Sequence, residues 1–318
     1  MMKRFVKKVI TYLFLITLSM LMLISFDFFV VGNQYLYGYD ASILDKVNRL
    51  ESIHEPKIIL VGNSNVAFGF NSALLEEAFD MPVVNLGIHG SLGNAFHENL
   101  AKFNIDKGDI VVVCHSDYGD VDDIGDGELF WITLEKHKEL YSLIRLKDYK
   151  EWTIAYPKYL FKAFYLWATK SGNRAIESVY SRSAFNKYGD IENRTWWERA
   201  GIPVTEGSSV VPTISDECIT RLNQFNDYVN NKGATMVIAG FPIADGEYTP
   251  PLNEYEQFQN ELESRVNCDV ISNFTDYLIP YSNFYDTAYH LDEEGAIIRT
   301  KLLISDLKKW MNNRPSKS

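Results

Sequence analysis

Three side chains of this chain have the types that a relayed nucleophile needs, and they lie near its two ends. Ser64 sits in Lys57–Phe70, KIILVGNSNVAFGF; Asp286 and His290 sit in Phe284–Ala296, FYDTAYHLDEEGA. A serine hydroxyl is a weak nucleophile until a base takes its proton. An imidazole titrates in the right range, and an acid behind it fixes the tautomer. The chemistry such a trio suits is acyl transfer through serine, with Asp292 as a weaker substitute for Asp286. The plain alternative is that Ser64 merely occupies a glycine turn.

The elements that must position these groups are legible around them. The apolar run Ile58–Val61 ends at Gly62, and Asn71 stands as an N-cap before SALLEEAF. That order predicts a buried strand, a tight turn and a helix start. Ser64 then falls at the carboxyl end of a strand, where open α/β sheets take their ligands. Further strands are expected at Pro82–Asn85, Asp109–Cys114 and Ala234–Gly240, with a short one at Asp269–Ser272. Helices are expected near Ser72–Phe79, Asn94–Asn104, Asp216–Asn231 (capped by Ser215), Leu252–Val266 and Glu293–Asn312. Strands alternating with helices predict right-handed βαβ units. The fold expected is α/β, a three-layer α/β/α sandwich with a parallel central sheet.

A developing oxyanion needs donors. The backbone N–H groups of Ser64 and Gly87 are candidates, since glycine lets a backbone approach a ligand closely; Gly87 also reads as a simple turn. After the third strand comes Cys114-His115-Ser116-Asp117, and the Ser116 hydroxyl is a candidate third donor. His115 reads as a rival base, a substrate contact or a capped bystander, and His89 invites the same readings. Asn63 and Asn65 flank the serine and are candidate donors to substrate.

GNSN around Ser64, NLGIHG at Asn85–Gly90 and DTAYHL at Asp286–Leu291 resemble the first, second and last blocks of the SGNH/GDSL hydrolase superfamily. More narrowly, the chain resembles membrane-anchored SGNH-like proteins of bacterial surface-polysaccharide acylation and D-alanylation systems. The resemblance implies Ser64 as nucleophile, His290 as base and Asp286 as orienting acid. It implies a serine esterase or O-acyltransferase working through an acyl-serine, without metal or organic cofactor, on acetyl or D-alanyl groups of a cell-surface glycan or acylated carrier. For a transferase it implies a multi-pass membrane acyltransferase as partner. The chain departs from the family in three places. Its last block is D-x-x-x-H rather than D-x-x-H, Tyr289 being the extra residue. Ser116 falls where a G-x-N-D block has asparagine. Asn63 replaces the aspartate of the GDS form. These departures leave a second expectation from another class: a non-catalytic scaffold or binding protein in envelope polysaccharide assembly.

Residues 1–8 carry four Lys/Arg and no acid, and residues 9–31 hold one charge, Asp27. At about 1.5 Å per residue that run spans a bilayer core of roughly 30 Å. The basic flank predicts a cytoplasmic N-terminus and an extracytoplasmic remainder, so the expected location is the cell membrane, single-pass. A cleaved signal peptide is the alternative. Residues 32–55 read as a linker, and residues 56–318 as one domain with a helical insertion at about 120–212. With 318 residues, 46% of them apolar, the chain can bury one sizeable core. A net charge of −11 and the absence of phosphate-loop, dinucleotide or zinc-finger spacings argue against nucleic acid and nucleotides. Cys114, Cys218 and Cys268 read as thiols, with a Cys218–Cys268 disulfide left open.

Two stretches break the pattern. Asp117–Glu128 holds six acids in twelve residues and reads as a solvated acidic loop. Tyr141–Ala200 carries eleven Lys/Arg against six Asp/Glu and is rich in aromatics, Trp152, Tyr156, Tyr159, Phe161, Phe164, Tyr165, Trp167, Trp196 and Trp197 among them. It reads either as a lid or docking face for membrane or glycopolymer, or as a helical subdomain whose aromatics are its core.

Overall fold

The structure, a computed structural model, describes residues 2–121, 123–175, 177–192, 194, 209–246 and 249–313. Helix α1 spans Met2–Phe26, and π-type turns continue it over Asp27–Val31. It is long and apolar enough to cross a membrane, and no residue of Met2–Phe26 is buried. After α2 (Ser42–Ser52) the α/β pattern begins: β1 (Ile58–Val61), α3 (Ser64–Ala67), α4 (Ser72–Phe79), β2 (Val83–Asn85), α5 (Asn94–Ala101) and β3 (Ile110–Val113). Then come α6 (Gly127–Leu134), α7 (Tyr149–Thr169), α8 (Asp216–Asn231), β4 (Thr235–Ile238), β5 (Ile243–Asp245), α9 (Leu252–Arg265), β6 (Asp269–Val270), β7 (Leu278–Pro280) and α10 (Glu293–Asn313).

The central sheet runs β2-β1-β3-β4-β6 and is parallel throughout. Its inner strands are continuous β-branched and apolar runs because both faces are covered. Successive side chains point to opposite faces. Ile59, Val61, Val111, Val113 and Met236 therefore join one core with α2, α5 and α8. Ile58, Leu60, Val112 and Val237 join another with Leu75 of α4 and Leu303 and Leu307 of α10. In the register Ile58↔Ile110 and Val61↔Val113, the carboxyl ends of β1 and β3 are level, which brings the Ser64 turn beside Cys114–Ser116.

Several expectations change. Residues 32–55 are more than a link, because α2 buries Ile43, Val47 and Leu50 in the first core. The acidic stretch is not simply solvated. Asp126 caps α6 through the Glu128 and Leu129 amides, Glu128 is buried beside Lys158 and Lys162, and Asp123 pairs with Arg145 and Lys147; Asp122 lies outside the described residues. The aromatics of the insertion divide. Trp131 stacks on Trp152 at 4.2 Å, with Tyr159 buried beneath them, whereas Phe161, Phe164, Tyr165 and Trp167 are exposed. Trp196 and Trp197 lie outside the described residues. The small parallel pair β5–β7 is unforeseen in the sequence. All three cysteines are thiols, so the Cys218–Cys268 bond does not form.

Candidate active site

The turn after β1 is built by asparagines. Asn63 is the N-cap of α3, its Oδ1 accepting from the Asn65 amide at 2.9 Å. Ser64 is the first residue of that short helix and is half-buried. Its Oγ lies 2.8 Å from His290 Nε2, across 226 positions of sequence.

His290 arrives on a loop that closes on itself. The Tyr285 amide donates to the His290 carbonyl at 2.7 Å, and the His290 amide donates to Thr287 Oγ1 at 3.1 Å. The closure brings Asp286 Oδ1 within 2.7 Å of His290 Nδ1. With Asp286 ionised, Nδ1 is the donor and Nε2 is left to accept the serine proton. Burial raises the Asp286 pKa, but the hydrogen bond and charge of His290 outweigh it, with Tyr180 adding to the effect. The carboxyl is held below its ordinary range. Asp292 is not a substitute acid: its Oδ1 accepts from the Gly295 amide at 2.8 Å, at the start of α10.

Four residues that sequence reasoning missed complete this wall. Tyr180, from the insertion, donates its phenol to Asp286 Oδ2. Its own pKa is raised, first by burial and then by that carboxylate. Phe68 lies flat on the His290 ring, 4.1 Å away and 5° from parallel. Arg194 donates from Nη1 to the Leu291 carbonyl at 2.8 Å and to that of Asp292 at 2.6 Å, tying the insertion to the histidine loop. Arg299 of α10 is fully buried beneath the turn and donates to the Asn65 carbonyl at 2.7 Å and the Gly240 carbonyl at 3.1 Å. Phe68 lies within Lys57–Phe70, four residues after Ser64. Tyr180 and Arg194 come from a segment with no periodic signal.

The remaining candidates separate. Asn63 Nδ2 donates to Ser116 Oγ at 3.1 Å, so these two stand together beside Ser64, with the Ser116 hydroxyl proton left to point elsewhere. Gly87 is corrected as an oxyanion donor: its amide already donates to Asn85 Oδ1 at 2.8 Å. A Cβ on Gly87 would come within 2.2 Å of the Ala67 nitrogen, so what the glycine admits is the protein's own α3 rather than a ligand. Asn65 is corrected as a substrate contact, since it is fully buried and donates to Asn63 Oδ1 and the Cys114 carbonyl. His115 is corrected as a rival base. It is fully buried, with Nε2 2.9 Å from Glu98 Oε1, and Glu98 is also held by Arg221. His89 is exposed near the site. Partial desolvation by the groups packed around it, and then the charge of His290, lower its pKa.

This arrangement can move a proton from Ser64 Oγ to His290 Nε2 while Asp286 stabilises the resulting imidazolium. In comparisons with family models, with curated proteins and with solved structures, nothing matches the chain.

Proposed function

We propose that the chain is a membrane-anchored SGNH-like serine acyl-ester hydrolase or O-acyltransferase, its α/β domain a three-layer sandwich on the extracytoplasmic side. The reading rests on one observation, the hydrogen-bonded series Ser64–His290–Asp286 at 2.8 and 2.7 Å.

Ser64 Oγ attacks the acyl carbonyl as its proton passes to His290 Nε2. The oxyanion is met by the Ser64 amide and the Ser116 hydroxyl, each such donor being worth about 10²–10³ in rate. His290 then returns the proton to the departing sugar oxygen, and the acyl-serine remains. Water or a second sugar hydroxyl gives its proton to His290 and attacks the acyl carbon, and His290 returns that proton to Ser64 Oγ as the acyl–serine bond breaks. Acetyl or D-alanyl esters on a cell-surface glycan or carrier fit this route, with a multi-pass acyl donor as partner if the acceptor is a sugar.

The test is turnover of p-nitrophenyl acetate by the full chain in detergent. Release of nitrophenol, lost in Ser64→Ala and in His290→Ala, supports the reading. The occupied Gly87 amide favours a second reading, a scaffold that binds glycan without turning it over. Glycan binding by folded protein that releases no nitrophenol is the outcome that reading expects.

A further inference from the structure

Helix α7 has two faces with different fates. Tyr156, Tyr159 and Ala163 face the protein, Tyr159 and Ala163 fully buried and Tyr156 partly so. Ile154, Phe161 and Tyr165 recur at spacings of one helical stripe, and they are 63%, 73% and 59% exposed. Phe164 and Trp167 widen that stripe. A soluble helix seldom leaves so many large apolar side chains together in water.

The position of the helix says what covers them. α7 is docked on the exit end of α1: Phe26 meets Trp167 edge-on at 5.6 Å and Phe164 at 6.3 Å, and Tyr156 Oη donates to Asp27 Oδ2 at 3.2 Å. The apolar outer surface of the spanning helix runs on past this junction, with Phe29 87% and Val30 49% exposed. Asp27, a charge that lipid would reject, is fully buried at the same level and paired with Lys136 at 2.9 Å. A bilayer that takes up α1 to the end of its apolar surface therefore reaches α7 as well.

We infer that α7 lies in the membrane–water interface with its Ile154–Phe161–Tyr165 stripe in lipid, so that the domain is held at two points rather than one. This rests on the reading of α1 as a membrane span. Aromatic side chains are suited to that zone, and Lys150 and Lys170 near the helix ends can reach headgroups. The same insertion carries Tyr180 to Asp286, so lipid contact and active-site wall belong to one structural unit.

Nitroxide accessibility tests this in the full chain, reconstituted in nanodiscs of phosphatidylcholine and phosphatidylglycerol. Single labels are attached at Phe161→Cys, Tyr165→Cys, Leu15→Cys and Leu252→Cys in a Cys268→Ser background, Cys114 and Cys218 being buried. Labels at 161 and 165 should be relaxed by oxygen several-fold more than by a water-soluble nickel chelate, as at 15 and opposite to 252. Aqueous accessibility at 161 and 165 with lipid accessibility at 15 overturns the inference alone. Aqueous accessibility at 15 as well overturns the span itself, and the inference with it.

Discussion

Tyr180 and His290 grip the two oxygens of one carboxylate: the phenol donates to Asp286 Oδ2 and the imidazole meets Oδ1 at 2.7 Å. Both bonds favour the ionised acid and hold its pKa down against burial. Tyr180→Phe removes one of them, so the Asp286 pKa rises and the acid is held less firmly on the imidazole. Turnover at neutral pH should fall roughly tenfold, the worth of one hydrogen bond to a charged group. Asp286→Asn removes the charge itself and should cost on the order of 10³–10⁴ in kcat. A pH–rate profile of the three proteins checks both.

Gly87 and Gly90 should respond oppositely to alanine. At Gly87 the added methyl meets the backbone of Ala67 at 2.2 Å and of Val66 at 2.8 Å, which side-chain motion cannot relieve. At Gly90 the nearest atoms belong to the Asn63 side chain at 3.6 Å, an ordinary contact. Urea unfolding should show Gly87→Ala destabilised by about 3 kcal/mol or more and Gly90→Ala within about 0.5 kcal/mol of the parent.

Glu98 sets an acid-stability limb. Burial raises its pKa, but Arg221 and then His115 outweigh that and bring it to about 2, from an ordinary 4.5. Its contribution is therefore complete above the unfolded value and is lost as pH falls from 4.5 towards 2, where the unfolded chain binds the extra proton. Over that window stability should drop by about 3 kcal/mol at most. Thermal unfolding of Glu98→Gln should begin from a lower plateau and lack this limb.

Arg299 holds the floor of the Ser64 turn. Its guanidinium is fully buried, lies 4.3 Å from the Phe70 ring and donates to the Asn65 and Gly240 carbonyls. Arg299→Met fills much of the space yet leaves both carbonyls dry, at about 1–3 kcal/mol each. Denaturant titration should show that loss, and Ser64 should acylate more slowly because Asn65 is its neighbour in α3.

How much of this was legible follows from range. The runs at Ile58–Val61 and Asp109–Cys114 announced strands because a parallel strand buried on both faces must be apolar throughout. Asn63, Ser64 and the Asp286–His290 loop were visible because turn chemistry is local. Ser42–Ser52 lies within the stretch 32–55 that reads as a linker; Ile43, Val47 and Leu50 recur there at helical spacing, but a polar majority masks the stripe. Tyr180 and Arg194 were invisible, since their role depends on where a long insertion returns. Arg299 carries no local signal of its role, and only the tertiary fold turns it inward. Gly87 reads from sequence as an oxyanion donor or a simple turn, whereas its close neighbour is α3, a contact between segments that local sequence does not encode.

The most direct test is whether Ser64 behaves as an activated nucleophile. Full-length protein treated with a fluorophosphonate, and read by intact mass, should gain one adduct that peptide mapping places on Ser64. Ser64→Ala should gain none, and His290→Ala should react far more slowly. Folded wild-type protein that stays unmodified under conditions that label a control serine esterase would contradict the account.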